Sequence, residues 1–191
     1  MVQPCGGRGR QTSYVGSGSI ATDLREPRYV GFTPDNRHIN RDWIGRAVAE
    51  ELAREGCDVA MVARTEDALR RAADDIALAS GRRVLAVPAD ASVPEAIINA
   101  IQQASLEFGG SIDILVNNAG STPEDGIDHV DFAKWQYSIA LKQFGYARFA
   151  QLVLPAMRAQ KWGRIVNVIG RSGHTGRDLS ISPVGQSMRG C

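Results

Sequence analysis

The sequence predicts an α/β domain built around a doubly wound parallel sheet that is incomplete at both ends. Segments with a helical period alternate with short apolar runs from residue 43 to about residue 170. The apolar runs are typical of strands covered on both faces, because they carry almost no polar residues. Right-handed crossovers between such strands place helices on both faces of one parallel sheet.

Three stretches of different character divide the chain. Residues 1–42 carry scattered glycine, proline and arginine without a sustained helical or strand period, so we expect this head to be disordered or to represent a non-native reading frame. Residues 43–173 form the patterned body, and residues 174–191 form a polar tail. Shifts of reading frame in a GC-rich gene, at both ends of the body, are a hypothesis that would account for the loss of pattern there.

The first strand of the sheet is the element that the sequence indicates least directly. The segment Arg28–Phe32 is a candidate for it. In a doubly wound sheet the first strand lies between the second and the fourth, so its loss would leave two buried ladders unpaired. We therefore expect marginal folding, or none, unless this or an equivalent segment occupies that position.

The first helix of the body is predicted from Ile44 to about residue 54. Its apolar residues Ile44, Val48 and Leu52 are four apart, which places them on one face that we expect to be buried. Gly56 ends the helix.

The next unit consists of the strand Asp58–Ala63 and a helix that begins at Thr65. Two acidic residues follow Thr65, where they complement the partial positive charge of a helix N-terminus. The predicted buried stripe of this helix is Leu69, Ala73 and Ile76.

A third unit begins with a strand at residues 83–88. The run from Ser92 to Glu95 has the pattern of a capping box, with Pro94 early in the first turn, where its missing N–H costs nothing. The helix that follows is expected to end at Gly109. Its predicted inward residues are Ile97, Ile101, Ala104 and Phe108.

The last units are a strand at residues 112–116, a long helix from about residue 130 to 158, and a strand at residues 164–168. In doubly wound sheets the ligand lies beyond the carboxyl ends of the strands. The candidate functional residues are therefore those that directly follow strands. They are Arg64, Asp90, the run Asn117-Asn118-Ala119-Gly120, and residues 169–173.

Composition excludes several other function classes. A formal net charge of +1 does not indicate the positively charged surface that binding to nucleic-acid phosphates requires, so nucleic acid is not an expected partner. Apolar runs fall far short of the roughly 20 residues of a membrane span, and residues 1–10 lack a signal-peptide core. Cys5, Cys57 and Cys191 lie far apart with no metal-ligand spacing. We expect free thiols, no metal site and a cytoplasmic location.

The body resembles the short-chain dehydrogenase/reductase family over about residues 44–173. The supporting features are the helix start at residues 44–49, Asp90, Asn-Asn-Ala-Gly at residues 117–120, Trp135 seven residues before Lys142, and Gly-Arg-Ile-Val-Asn at residues 163–167. The resemblance implies a Rossmann-like domain with a nicotinamide dinucleotide as cofactor.

The resemblance also implies which dinucleotide binds. Arg64 occupies the position of a basic residue for the 2′-phosphate of NADP, and Ala63 stands where an acidic residue would bind the ribose hydroxyls of NAD. NADP(H) is thus expected over NAD(H), although Arg64 could be only a solvated residue at a strand end. Asp90 would accept from the adenine amino group beside the backbone N–H of Ala91, or could simply shape the loop.

Five further residues complete the expected cofactor-binding set. Ile44 and Gly45 correspond to the end of the family's phosphate loop, and Asn117, Ala119 and Gly120 would line the adenosine ribose side of the site. Gly120 permits close backbone approach.

The chain departs from the family pattern at the positions that carry chemistry. Trp43 replaces the middle glycine of the phosphate loop, and Gly170 replaces the catalytic serine, with Ser172 two residues later. Pro183 and Ser187 replace the tyrosine and lysine of the Tyr-x-x-x-Lys pair, and neither can supply that chemistry. No catalytic residue is therefore assigned.

One more departure lies inside the body. Lys142 stands where the family has a structural asparagine. It could bind substrate or water, or be a solvated helix lysine.

Two functions remain open at this point. The first is an NADP(H)-dependent oxidoreductase that transfers hydride to a ketone or a 3-oxoacyl thioester. The second is a catalytically inactive, truncated or frameshifted remnant that at most binds nucleotide or a partner subunit. A homo-oligomer is possible, but the sequence ends before the elements that usually form the family's interface.

Overall fold

The computed structural model describes residues 28–32, 43–120, 129 and 131–169. Its strands are β1 (Arg28–Phe32), β2 (Asp58–Ala63), β3 (Val84–Pro88), β4 (Ile114–Asn117) and β5 (Arg164–Asn167). Its helices are α1 (Trp43–Arg54), α2 (Glu66–Ser80), α3 (Pro94–Phe108), α4 (Phe132–Ile139) and α5 (Tyr146–Ala159), with a π-helical segment, Ala140–Gly145, between the last two.

The five strands form one parallel sheet in the order β3-β2-β1-β4-β5. Strand β1 lies at its centre, where Tyr29 is opposite Val59 on one side and Ile114 on the other. The predicted doubly wound α/β architecture is confirmed, and so is the candidate first strand Arg28–Phe32. Both central ladders are paired, which meets the condition that the sequence sets for cooperative folding.

Helices cover the sheet on both faces. Helices α1 and α2 pack on one face, over a core of β2 and β4 side chains that includes Val59 and Met61. Helices α3 and α5 pack on the other face, where Phe149 and Ile97 lie among the largest fully buried side chains. The predicted stripe of α2 is buried, and in α3 three of the four predicted residues are buried while Ile101 is partly buried.

Helix α1 turns a different face to the sheet from the one predicted. Gly45, Ala49 and Ala53 are buried, Val48 and Leu52 are partly buried, and Ile44 is 55% exposed. Small residues four apart let the helix backbone approach the sheet closely, and the larger side chains then lie at its flank. The expectation of a buried Ile44 is therefore wrong.

The ends of the helices follow the sequence in part. Gly81 and Gly109 adopt the left-handed conformation (φ +68° and +70°) that ends α2 and α3. The capping box predicted before α3 is wrong, because Val93 occupies the N-cap position and makes no side-chain capping bond. The backbone N–H of Ser92 instead donates to the Asp90 carboxylate at 2.8 Å.

The long helix predicted at about residues 130–158 is a run of α4, the π-helical segment and α5. The Asp131 carboxylate caps its start by accepting from the backbone N–H groups of Ala133 and Lys134 at 2.9 and 3.3 Å. A Cβ atom at Gly145 would lie 2.5 Å from the carbonyl oxygen of Ala91. Glycine thus lets the π-helical segment pack against the loop that follows β3, at the edge where ligands bind in such sheets.

Candidate functional site

The predicted site residues lie along the carboxyl edge of the sheet. Arg64 directly follows β2, and Asp90 and Ala91 follow β3 by two and three residues. The Asn-Asn-Ala-Gly run begins at the last residue of β4. Because the strands are parallel and adjacent, these positions share one edge, next to the N-terminus of α1, where Ile44 and Gly45 lie.

A tyrosine links the end of β2 to the end of β3. Arg64 Nη1 donates a hydrogen bond of 2.7 Å to the hydroxyl of Tyr137, and its guanidinium lies 5.5 Å from the centre of the Tyr137 ring. The same hydroxyl lies 3.4 Å from both carboxylate oxygens of Asp90. Arg64 is exposed, and its guanidinium has defined partners at this strand end.

Sequence reasoning missed Tyr137. It lies on α4, 73 residues from Arg64 and 47 from Asp90 along the chain. Nothing in the local pattern distinguishes it from an ordinary helix residue, because only the packing of α4 beside the two strand ends brings the three groups together.

Asp90 also shapes its own loop. Its carboxylate accepts from the backbone N–H of Ser92, and its carbonyl accepts from the backbone N–H of Val93 at 3.0 Å. These two bonds hold the turn before α3. Asp90 therefore shapes this loop, and its other neighbour is the Tyr137 hydroxyl. Ala91 is buried beneath the π-helical segment.

The two asparagines after β4 are buried and incompletely hydrogen-bonded. Asn117 is fully buried, and its Nδ2 donates to Asn167 Oδ1 at 2.9 Å, which joins the ends of β4 and β5. Within the described part of the chain, Asn117 Oδ1 and Asn118 Nδ2 are buried with no hydrogen-bond partner. Buried polar atoms are costly when they are left unpaired, so these atoms are suited to a ligand or a bound water.

The backbone that follows is held from α5. The Tyr146 hydroxyl donates to the carbonyl of Ala119 at 2.6 Å and lies 3.3 Å from that of Val168. Burial raises the pKa of Tyr146 well above its ordinary value, so the hydroxyl stays protonated and remains a donor. Tyr146 therefore joins the chain segments after β4 and β5.

Lys142, in the π-helical segment, lies against Gly120. A Cβ atom at Gly120 would be 2.6 Å from Lys142 Cε and 3.1 Å from Nζ. Lys142 is half-buried at the carboxyl edge of β4. The glycine makes this contact possible, and it brings a cation next to the Asn-Asn-Ala-Gly run.

Several predicted positions lie outside the described residues. These are the phosphate-loop positions before Trp43, and Gly170, Ser172, Pro183 and Ser187. In the described ranges, no cluster of three or more His, Cys, Asp or Glu side chains could hold a metal ion. No helix within those ranges is long and apolar enough to cross a membrane.

Comparison with known proteins assigns a family to this arrangement. The family model for short chain dehydrogenase matches residues 42–181. D-beta-hydroxybutyrate dehydrogenase from Rhizobium meliloti is 32% identical over 131 residues, which cover 68% of this chain and 50% of that protein. The 3-oxoacyl-(acyl-carrier-protein) reductase from Aquifex aeolicus is 33% identical over 133 residues, which cover 70% of this chain and 53% of that protein.

Solved structures share the fold. L-sorbose reductase from Gluconobacter frateurii, complexed with NADPH and L-sorbose, superposes with a TM-score of 0.72 at 30% identity. The superposition covers 85% of this chain and 58% of that one. The chain thus spans about half the length of the curated relatives it matches.

Proposed function

The chain belongs to the short-chain dehydrogenase/reductase family of oxidoreductases, and on that premise we propose that it binds NADP(H) along the carboxyl edge of its sheet. The observation that carries the proposal is the pairing of Arg64, at the end of β2, with Asp90, at the end of β3, through the Tyr137 hydroxyl. The two groups lie side by side, where the cation suits a 2′-phosphate and the carboxylate suits an adenine amino group.

The described residues fit the adenosine half of such a cofactor. Arg64 would hold the 2′-phosphate by charge-assisted hydrogen bonds, and Asp90 would accept from the adenine amino group. The unpaired buried atoms of Asn117 and Asn118 and the close approach allowed by Gly120 suit a polar ligand at the end of β4. When bound, the nicotinamide would supply hydride chemistry.

Further cofactor contacts complete the proposal. The N-terminus of α1 offers backbone N–H groups and a partial positive charge for the phosphates, with Gly45 buried and Ile44 exposed beside it. Ala91 and Ala119 supply backbone at the ends of β3 and β4.

A small carbonyl compound is the proposed substrate class. The relatives include a hydroxybutyrate dehydrogenase, a 3-oxoacyl reductase and a sorbose reductase, which favours a ketone or a 3-oxoacyl thioester. A cytoplasmic location is part of the same proposal. It is motivated by the cysteine pattern, in which Cys57 is a buried free thiol.

A second candidate is a nucleotide-binding chain without turnover. It is favoured by Pro183 and Ser187, which stand where the family pattern has its proton-donating tyrosine and its lysine. Within the described ranges, the Tyr146 hydroxyl lies near the ends of β4 and β5, but it is bound to backbone carbonyls. Both candidates require the same nucleotide site.

Calorimetric titration with NADPH and NADH tests the site. Arg64→Ala should weaken NADPH binding by about tenfold to a hundredfold, since charge-assisted hydrogen bonds contribute about 1.5–3 kcal/mol. NADH binding should stay unchanged. Arg71→Ala, which removes the same charge from the exposed surface of α2, is the matched control. An unmodified chain that binds neither nucleotide would refute the proposal.

Absorbance at 340 nm then separates the two candidates. Ketones and acetoacetyl thioesters are offered with NADPH to the unmodified chain. Turnover above the blank supports hydride transfer, whereas NADPH binding without turnover supports the second candidate.

A further inference from the structure

The side chain of Tyr137 contacts both Arg64 and Asp90. It lies on α4, whereas its partners follow β2 and β3. Its ring is partly buried against the core, so its hydroxyl is presented from a fixed support.

We infer that Tyr137 is a positioning residue that orients Arg64 for a 2′-phosphate and lies beside the adenine subsite at Asp90. The inference rests on the proposed NADP(H) binding and goes beyond it by naming the group that sets the selectivity. The recognised chemistry is an adenosine nucleotide that carries a 2′-phosphate.

The first step of the argument concerns the freedom of Arg64. An exposed arginine loses much rotamer freedom when it is held in one geometry, and that cost reduces its affinity for an anion. The 2.7 Å bond to the Tyr137 hydroxyl and the ring face at 5.5 Å restrict the guanidinium before any ligand arrives. The Tyr137 bond uses Nη1, which is one end of a planar group with five N–H donors.

The second step concerns Asp90. The Tyr137 hydroxyl lies at 3.4 Å from both of its oxygens, which is long beside the 2.8 Å bond from the Ser92 N–H. The contact with Asp90 is therefore weak, and the contact with Arg64 is strong. An adenine amino group can replace the hydroxyl at Asp90 while Tyr137 keeps its bond to Arg64.

Tyr137→Phe tests the inference because it keeps the ring and removes only the hydroxyl. We expect the affinity for NADPH to fall by about five- to tenfold, with NADH binding unchanged, because a factor of this size corresponds to the net contribution of an ordinary hydrogen bond. Gln136→Ala, an exposed neighbour on the same helix, is the control and should leave both affinities unchanged.

A double variant distinguishes positioning from direct contact. In an Arg64→Ala background, Tyr137→Phe should change the NADPH-to-NADH affinity ratio no further, because its effect passes through Arg64. Arg64→Lys keeps the charge but not the planar guanidinium group, so it should also lower that ratio. This second measurement remains informative even if the Tyr137 variant is unstable.

Three results would overturn the inference. One is an unchanged affinity ratio in Tyr137→Phe, another is an equal loss for both nucleotides, and the third is an additive loss in the double variant. In each of these cases the unmodified chain still binds NADPH, so the proposed function stands. An unmodified chain that binds no nucleotide would instead refute both.

Discussion

The two edges of the sheet differ in how their polar groups are used. At the amino edge, the Asp58 carboxylate is 1% exposed and is bound by two guanidinium groups, those of Arg82 at 2.8 Å and of Arg83. At the carboxyl edge, Asn117 Oδ1 and Asn118 Nδ2 are buried with no hydrogen-bond partner in the described ranges. The amino-edge carboxylate is bound by cations of the chain itself, although Trp162 Nε1 at that edge is also buried with no hydrogen-bond partner in the described ranges. At the carboxyl edge, such atoms belong to two consecutive asparagines.

A second amino-edge cluster has the same character. The side chain of Gln160 donates to Asp113 at 2.8 Å and to the carbonyl of Trp162 at 2.9 Å, and it accepts from Ser111 at 3.1 Å. At the other edge the Tyr137–Asp90 contacts are 3.4 Å long. The comparison teaches that the amino edge pairs its buried carboxylate within the chain, while the buried asparagines of the carboxyl edge keep hydrogen-bonding capacity that suits the proposed ligand.

The largest expected effect is the loss of the buried carboxylate. Asp58→Ala should lower the free energy of unfolding by about 3 kcal/mol, because it leaves the Arg82 guanidinium, whose side chain is 20% exposed, without its counter-charge. Urea denaturation followed by circular dichroism measures the change.

Asp75→Ala is the matched control for this substitution. Asp75 pairs with Arg46 at 3.1 Å, but its side chain is 62% exposed, so its loss should cost less than about 1 kcal/mol. Equal losses of unfolding free energy in the two variants would mean that the buried ion pair of Asp58 stabilises the fold no more than the exposed pair of Asp75.

The next two predictions compare the cost in stability of placing alanine at two glycines of the carboxyl edge. Gly145→Ala would place a Cβ 2.5 Å from the carbonyl oxygen of Ala91, and backbone cannot move aside easily. We expect a net loss of about 1–2 kcal/mol in unfolding free energy, after the better helix propensity of alanine offsets part of the clash. Thermal melts of the two variants and the unmodified chain measure this.

Gly120→Ala serves as its counterpart. The inserted Cβ would meet the flexible end of Lys142, which can turn away, so the melting temperature should change less than in Gly145→Ala. If Gly120→Ala proves the more destabilising, Lys142 is held rigidly at this edge.

A smaller effect is expected at the hydroxyl that joins two segments of the carboxyl edge. Tyr146→Phe removes the donor to the carbonyls of Ala119 and Val168 and should lower the unfolding free energy by about 1 kcal/mol. Denaturant titration of the variant measures it. No change in stability would mean that these carbonyls find other donors.

The last effect concerns Cys57, which precedes β2 at the amino edge. Burial raises the pKa of its thiol from 9.0 to about 12, although the nearby Arg82 acts in the opposite direction. The thiolate is the reactive form, so native protein at pH 8 should resist iodoacetamide at Cys57, and urea should restore reaction. Mass spectrometry of the alkylated peptides checks this.

The same pKa predicts a dependence of stability on pH. Below pH 9 the thiol is protonated in both states and has no effect. Between about pH 9 and 12 it ionises in the unfolded chain first, so the unfolding free energy falls as the pH rises. Cys57→Ala should show a shallower fall over that range, and an identical profile would contradict the assignment.

Much of the fold could be predicted from local pattern. Strands such as β2 are apolar throughout, and helices such as α2 bury one residue in every three or four, so element type and order are visible in short windows. The same order puts Arg64, Asp90 and Asn117 at one edge of a parallel sheet. Their roles in binding a cofactor remain predictions.

Other features depend on packing and had no local signal. The buried face of α1 was predicted wrongly, because close approach to the sheet favoured Gly45 and Ala49 over the larger Ile44. The N-cap of α3 was misplaced because Asp90 binds the Ser92 N–H instead. The π-helical segment also had no local signal, and its Gly145 packs against the distant Ala91.

The sequence by itself determined the family and the alternation of strands and helices, and it placed the predicted site residues at one edge of the sheet, because each of these is encoded in neighbouring residues. Tertiary structure alone decided that Tyr137 joins Arg64 to Asp90 and that Lys142 lies on Gly120. The physical reason is that these contacts join groups tens of residues apart in the chain, and only the stacking of helices on a common sheet brings them within hydrogen-bond or van der Waals distance.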